Sequence, residues 1–195
     1  MVKGYPQFHD YDNDPEEIYI VGIERNKGKM GVVVDDVIGR EEIVVRVKIG
    51  GLEAAKSPEV LETLLGSCVA LMLYDRGKRI GGMAHIMLPY TDNTKIRTPG
   101  KYANTAVPAL ITKLTILGAR PNKLIAKIAG GSAMFKGSET MNIGKKNIES
   151  TKKELSKYNI RVVKEDTGGE GSRTVKFYLK DGKVEIFHKG GTKII

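Results

Sequence analysis

Two apolar runs, 65–74 and 80–89, flank a short polar turn near the middle of the chain. The turn contains Gly77 between charged residues, and apolar runs joined by such a turn predict a β-hairpin. If Arg76 and Gly77 occupy the tip of the turn, the pairing register of the two strands follows directly. A hairpin is therefore the first element that this sequence specifies.

That register places Cys68 directly opposite His85. Directly opposed residues share a face of the sheet, with Cβ atoms about 4.5 to 5.5 Å apart, so we expect the thiol and the imidazole to form a hydrogen-bonded pair. A neighbouring imidazole can generate a thiolate, which makes Cys68 a candidate nucleophile and His85 its candidate base. Gly66 and Ser67 precede the cysteine without bulky side chains, so we expect an oxyanion to be bound in this region.

The alternative is that both residues belong to an inert core. Cys68 is the only cysteine of the chain, and a free cysteine is often a small buried apolar residue. His85 could likewise be a core histidine packed among methionines. A lone cysteine cannot form an internal disulfide or a cysteine-based zinc site, and we expect neither a metal nor an organic cofactor.

The other segments predict a mixed α/β fold with antiparallel strand pairs. Apolar periodicity predicts helices over 104–117 and 146–158, and a strand over 123–129. An Asp-Gly turn predicts a C-terminal hairpin from Arg173 to Phe187. Residues 60–65 suit either a helix after Ser57-Pro58 or a buried strand, and periodicity leaves both open.

Composition excludes several classes of protein. The 195 residues suffice for one domain with its own core. No stretch approaches the roughly 18 apolar residues of a spanning helix, and residues 1–15 lack a signal-peptide core, so we expect no membrane insertion and a cytoplasmic location. Lys and Arg outnumber Asp and Glu by 32 to 23, but they are scattered and no aromatic cluster accompanies them, so we expect no nucleic-acid partner.

Several short motifs, in a fixed order, resemble the chemoreceptor glutamine deamidases of the CheD family. The matching residues are Leu65–Ala70, Met83–Pro89, Lys101–Ala106, Gly130–Phe135, Ile143-Gly144 with Asn147, and Gly168-Gly169 followed by Gly171, Arg173 and Phe177. Residues 46–195 are accordingly expected to form a CheD-like deamidase domain. Residues 1–45 would be an N-terminal extension, partly disordered and partly β.

The resemblance implies a fold, a reaction and roles for individual residues. The fold would be a two-sheet α/β sandwich with a helical layer, similar to the catalytic domain of the cytotoxic necrotizing factor toxins. The enzyme would be a protein-glutamine glutaminase, a thiol hydrolase that converts receptor glutamines to glutamate and ammonia through a thioester. Cys68 matches the nucleophile and His85 the general base, while Thr63 matches a threonine that orients the base, unless it is an ordinary strand residue.

The resemblance also implies partners, and it leaves competing functions. The expected partners are the cytoplasmic domains of chemoreceptors and a CheC-type chemotaxis phosphatase. The chain could instead act as a non-catalytic binding partner and regulator of that phosphatase. A third hypothesis keeps the nucleophile in an amidase or thiol peptidase with another substrate.

Overall fold

The computed structural model of the protein describes residues 22–26, 29–33, 42–133 and 142–195. The chain divides into two compact units, Met1–Glu41 and Glu42–Ile195. In the first unit, strands β1 (Gly22–Asn26) and β2 (Lys29–Val33) pair antiparallel as a two-stranded sheet. The polar stretch 1–18 lies outside the described residues, and a domain boundary at residue 45 stays a prediction.

In the second unit, the described residues form two five-stranded sheets and two α-helices. Its strands are β3 (Val44–Arg46), β4 (Leu52–Lys56), β5 (Val60–Leu65), β6 (Val69–Asp75), β7 (Ile80–Ile86), β8 (Ile125–Gly130), β9 (Val162–Thr167), β10 (Arg173–Tyr178), β11 (Val184–His188) and β12 (Gly191–Ile194). Its helices are α1 (Ala103–Ile116) and α2 (Asn142–Lys157). The central sheet has the order β4-β7-β6-β8-β9, and the second sheet has the order β12-β11-β10-β5-β3.

This architecture confirms the expected mixed α/β class. The pairs β8–β9 and β3–β5 are parallel, whereas the other pairs of the two five-stranded sheets are antiparallel. Two sheets and a pair of helices are present as expected. The similarity to the cytotoxic necrotizing factor domain stays a prediction.

The central sheet lies between the helices and the second sheet. Alternate residues of β6, beginning with Val69 and Leu71, pack in one apolar cluster with Leu110 of α1. The residues between them, beginning with Ala70, pack in a second cluster with Phe177 of β10. Because both faces of β6 and β7 are covered, every residue of these strands is buried, which explains why their sequences are apolar throughout.

Residues 60–65, which the sequence allowed to be either a helix or a strand, form strand β5 of the second sheet. Leu61 and Leu65 face the apolar layer between the sheets, whereas Leu64 points away and is 63% exposed. This alternation is that of a strand with one buried face. It places Thr63, which shares the inward face with Leu61 and Leu65, beside the central sheet.

The remaining predicted elements are confirmed with small changes in their bounds. Helix α1 begins and ends one residue before the predicted limits, and strand β8 begins two residues late. Helix α2 extends to Asn142, four residues before its predicted start. The C-terminal hairpin is formed by β10 and β11. Among the described residues, no helix combines the length and apolarity that crossing a membrane requires.

The predicted register of the central hairpin is wrong by two residues. Asp75 pairs with Ile80, and His85 therefore lies opposite Ala70 rather than Cys68. The buried Asp75 carboxylate causes the difference, because it accepts hydrogen bonds from the N–H groups of Gly77 (3.0 Å) and Lys78 (3.3 Å) and stabilises a turn over 76–79. Since the shift is an even number of residues, His85 keeps the face on which it was expected.

Candidate active site

His85 lies on β7 with only 2% of its surface exposed, in the layer between the two sheets. Its Nδ1 lies 2.7 Å from Oγ1 of Thr63 on β5. The Thr63 hydroxyl donates its one hydrogen to the carbonyl oxygen of Val47, 2.8 Å away. The threonine must therefore accept a hydrogen bond from Nδ1–H, and this fixes the neutral tautomer with its lone pair on Nε2.

The backbone of His85 is held by the loop that precedes β4. Gly50 donates to the His85 carbonyl oxygen (3.0 Å), and the His85 N–H donates to the Gly51 carbonyl oxygen (2.9 Å). Gly50 adopts a φ of 71°, which favours glycine. Two other segments of the chain thus hold His85: strand β5 contacts its ring, and the loop before β4 holds its backbone.

The Nε2 atom of His85 is buried and has no hydrogen-bond partner among the described residues, the Cys68 thiol included. The expected thiol–imidazole hydrogen bond is therefore not formed, because the register shift moves the two residues out of direct opposition. Burial lowers the pKa of His85, although a hydrogen bond to the Val47 backbone opposes part of this effect. At neutral pH, Nε2 is an unprotonated acceptor.

Cys68 lies at a bend between β5 and β6, one residue before the last ladder pair of the hairpin, Val69 and Ile86. It is half-buried and packs against the apolar layer between the sheets, the same layer that contains the imidazole. Cys68 therefore lies two positions before Ala70, the residue that pairs with His85. Burial raises the pKa of the thiol, so both side chains are neutral at rest.

The three carbonyl oxygens of the Gly66–Cys68 bend all accept hydrogen bonds. Ser132 N–H donates to Gly66 (3.0 Å), Asn147 Nδ2 to Ser67 (3.2 Å) and Gly131 N–H to Cys68 (2.7 Å). None of the backbone hydrogen bonds within the described residues uses the N–H of Ser67 or Cys68. Gly66 and Ser67 are the region in which the sequence predicts that an oxyanion is bound, and binding there stays a prediction.

Glycine at position 130 permits the close approach of β8 to this bend. Gly130 has a φ of 104°, and a Cβ atom there would lie 2.3 Å from the carbonyl oxygen of Cys68. Any other residue would push the bend away from β8. Contact with the cysteine backbone thus explains Gly130, whereas a Cβ atom at Gly131 would lie 2.5 Å from the Ile148 side chain of α2.

Arg173 on β10 also helps to hold the bend that contains Cys68. Its guanidinium is almost fully buried and donates to Ser132 Oγ (2.9 Å), to the carbonyl oxygen of Gly168, and to the carboxylate and carbonyl oxygens of Asp166. Gly168 N–H in turn donates to the Gly130 carbonyl oxygen (2.9 Å). Sequence reasoning identified most of these residues only as motif positions, and their shared task is to hold the bend that contains Cys68.

The described part of the chain contains no group of three or more His, Cys, Asp or Glu side chains that could bind a metal ion together. The site combines a thiol, a buried imidazole and the backbone N–H groups of the bend at Cys68. This set matches the requirements of acyl transfer through a thioester.

Comparison with known proteins agrees with this chemistry. Residues 87–188 match the profile of the CheD family, described as "CheD chemotactic sensory transduction". A protein of Methanococcus vannielii named "Probable chemoreceptor glutamine deamidase CheD" is 58% identical over 145 residues, which cover 74% of this chain and 94% of the relative. The "Chemoreceptor glutamine deamidase CheD" of Thermotoga maritima is 44% identical over 146 residues, 74% of this chain and 92% of the relative. A "Probable chemoreceptor glutamine deamidase CheD" of Thermococcus kodakarensis is 43% identical over 155 residues, which cover 77% of this chain and 96% of the relative.

Proposed function

This chain belongs to the CheD family of chemoreceptor glutamine deamidases, and from that membership we propose that it hydrolyses side-chain amides of specific glutamines on chemoreceptor cytoplasmic helices. The products are glutamate and ammonia, and the reaction takes place in the cytoplasm. The observation that supports this proposal most strongly is the buried Nε2 of His85, which has no hydrogen-bond partner among the described residues and lies in the same layer as Cys68.

The first step is attack of Cys68 Sγ on the amide carbon of the glutamine. Because both side chains are neutral at rest, His85 Nε2 removes the thiol proton as the S–C bond forms. The imidazolium that results keeps its Nδ1–H on Thr63 Oγ1. The carbonyl oxygen of the substrate becomes an oxyanion, which the N–H groups of Ser67 and Cys68 receive.

The second half of the reaction returns the enzyme to its resting state. The tetrahedral intermediate collapses as the C–N bond breaks, and the leaving nitrogen takes the proton from His85, so ammonia departs and a thioester remains. His85 then removes a proton from water as the water attacks the thioester. The S–C bond breaks, Cys68 regains a proton, and the side chain leaves as glutamate.

The test is the intact and peptide mass of a receptor cytoplasmic fragment incubated with the wild-type protein, with Cys68→Ala or with His85→Ala. We expect a gain of about one dalton at particular glutamines, with matching release of ammonia, for the wild type only. The matched control is His188→Ala, because His188 is an exposed histidine on β11. It should retain full activity.

Other outcomes would support the competing functions. Fragments of the receptor chain would indicate a thiol peptidase. No change in mass with a cognate receptor, combined with binding to a CheC-type phosphatase, would indicate the non-catalytic regulator. Retention of full deamidation by Cys68→Ala would contradict the proposed nucleophile.

A further inference from the structure

Asn147 of α2 is completely buried, and its side-chain amide joins the two segments that carry the candidate catalytic residues. Its Nδ2 donates to the carbonyl oxygen of Ser67 (3.2 Å) and to the carbonyl oxygen of Met87 (2.9 Å). Ser67 immediately precedes Cys68, and Met87 follows His85 by two residues. One amide group therefore contacts both sides of the candidate site.

The two hydrogen bonds of Asn147 lie just beyond the end of the β6–β7 ladder. Val69 and Ile86 are the last paired residues, so the backbone of Ser67 and that of Met87 are not held together by strand pairing. A side-chain amide has two N–H donors, and Asn147 uses them on one carbonyl oxygen of each segment. The amide thus replaces the missing ladder contact.

The bond to Ser67 also fixes the direction of the Cys68 N–H. The Ser67 carbonyl and the Cys68 N–H belong to one planar trans peptide unit, and they point in opposite directions. When Asn147 holds the carbonyl oxygen, the N–H must point to the other side. We propose that Asn147 is a positioning residue that holds the Cys68 N–H in the orientation that receives the substrate oxyanion.

A purely structural role explains Asn147 less well. Its Oδ1 is buried without a hydrogen-bond partner among the described residues, and an unsatisfied buried acceptor lowers the stability of the fold. An apolar side chain of similar size would avoid this cost, but it would leave the carbonyl oxygens of Ser67 and Met87 without this donor. The two donors that hold Ser67 and Met87 are therefore the reason for an amide at this position.

This inference rests on the proposed deamidation, and the experiment separates the two. We would compare Asn147→Leu and Asn147→Ala with the wild type for kcat and KM on a receptor cytoplasmic fragment. The second readout is the rate at which iodoacetamide alkylates Cys68, because alkylation forms no oxyanion and needs no receptor. The matched control is Thr151→Val, since Thr151 is buried one turn along α2 and its hydroxyl donates within the helix, to the Asn147 carbonyl oxygen (2.7 Å).

We expect both Asn147 variants to lose about a hundredfold or more in kcat, as removal of an oxyanion donor does elsewhere. KM and the alkylation rate should stay within about threefold of the wild type, and Thr151→Val should keep its kcat within about twofold.

Three results would overturn the inference. These are wild-type kcat in the Asn147 variants, a parallel fall of kcat and alkylation rate, and loss of the fold in both variants, which would make Asn147 a folding residue. If the wild-type protein alkylates normally but deamidates no receptor, the proposed function fails instead.

Discussion

Replacing Thr63 by valine removes the hydroxyl that fixes the tautomer of His85 while it keeps the branched shape of the side chain. In Thr63→Val, the Nδ1–H of His85 loses its acceptor, and the Val47 carbonyl oxygen loses its donor. An imidazole whose Nδ1–H has no partner loses its preference for the Nδ1–H tautomer, and in the other tautomer the Nε2–H blocks the acceptor that takes the thiol proton. We therefore expect kcat to fall.

The magnitude follows from the burial of this contact. Leaving a buried donor unsatisfied costs about 1–3 kcal/mol, and Thr63 and His85 are only 5% and 2% exposed, so little water can replace the hydroxyl. Converted at about 1.4 kcal/mol per factor of ten, this predicts a loss of about 5-fold to 140-fold in kcat. The Val47 carbonyl oxygen adds a stability cost, which we expect to be about 1 kcal/mol.

The assay is steady-state release of ammonia from a receptor cytoplasmic fragment, with urea unfolding to measure the free energy of unfolding. The matched control is Thr63→Ser, which retains the hydroxyl and loses one methyl group. It should keep kcat within a few-fold of the wild type, while its stability falls by about 1 kcal/mol. Equal activity of Thr63→Val and the wild type, or equal losses in the valine and serine variants, would refute the tautomer argument.

Three further outcomes follow from the structure. Because burial raises the pKa of the Cys68 thiol, its alkylation rate should keep rising through pH 8.5 and show no plateau between pH 5 and 7, where a preformed thiolate would give one. Asp75→Asn should lose about 2 kcal/mol of stability by urea unfolding at pH 7, because Arg120 holds the pKa of the Asp75 carboxyl far below its usual range. This stabilisation is present above the ordinary carboxyl pKa near 4. The difference in stability between the variant and the wild type should therefore shrink as the pH falls below about 4. Gly130→Ala should lose at least about tenfold in kcat, because its methyl group displaces the Cys68 carbonyl oxygen. The control is Gly191→Ala, which has a similar positive φ and open space around it and should keep full activity. Equal effects of the two substitutions would contradict the contact between residue 130 and Cys68.

The strands that sequence predicted and those that it missed differ in their position within the sheets. Both strands of the central hairpin, and β8 beside it, are covered on two faces. They therefore appear in the sequence as long apolar runs, from which they could be predicted. The missed strands β4, β9 and β12 all lie at sheet edges. An edge strand is only partly covered, and β12 is exposed at every position, so its sequence carries no apolar alternation that could reveal it.

The candidate site could be predicted at the level of residue chemistry and not at the level of geometry. Cys68 and His85 stood out because a thiol and an imidazole occur on the two strands of one hairpin. The register failed because the Arg120 side chain and N–H bind Asp75 from 45 positions away, at 2.8–3.0 Å, and this ion pair stabilises the longer turn. Local turn patterns contain no information about such a distant partner.

The two-residue shift also places the proposed nucleophile, Cys68, outside the β6–β7 ladder. Strand β6 lies between β7 and β8, so residues inside it use their N–H and C=O groups in ladders on both sides. Had Cys68 been paired directly with His85 inside the hairpin, its N–H would have faced a neighbouring strand. At the bend before β6, the carbonyl oxygen of Cys68 is bound by Gly131 while its N–H makes no backbone hydrogen bond to the described residues. The register that moves the thiol away from direct opposition to the imidazole would therefore allow Cys68 to supply both the proposed nucleophile and a proposed oxyanion donor.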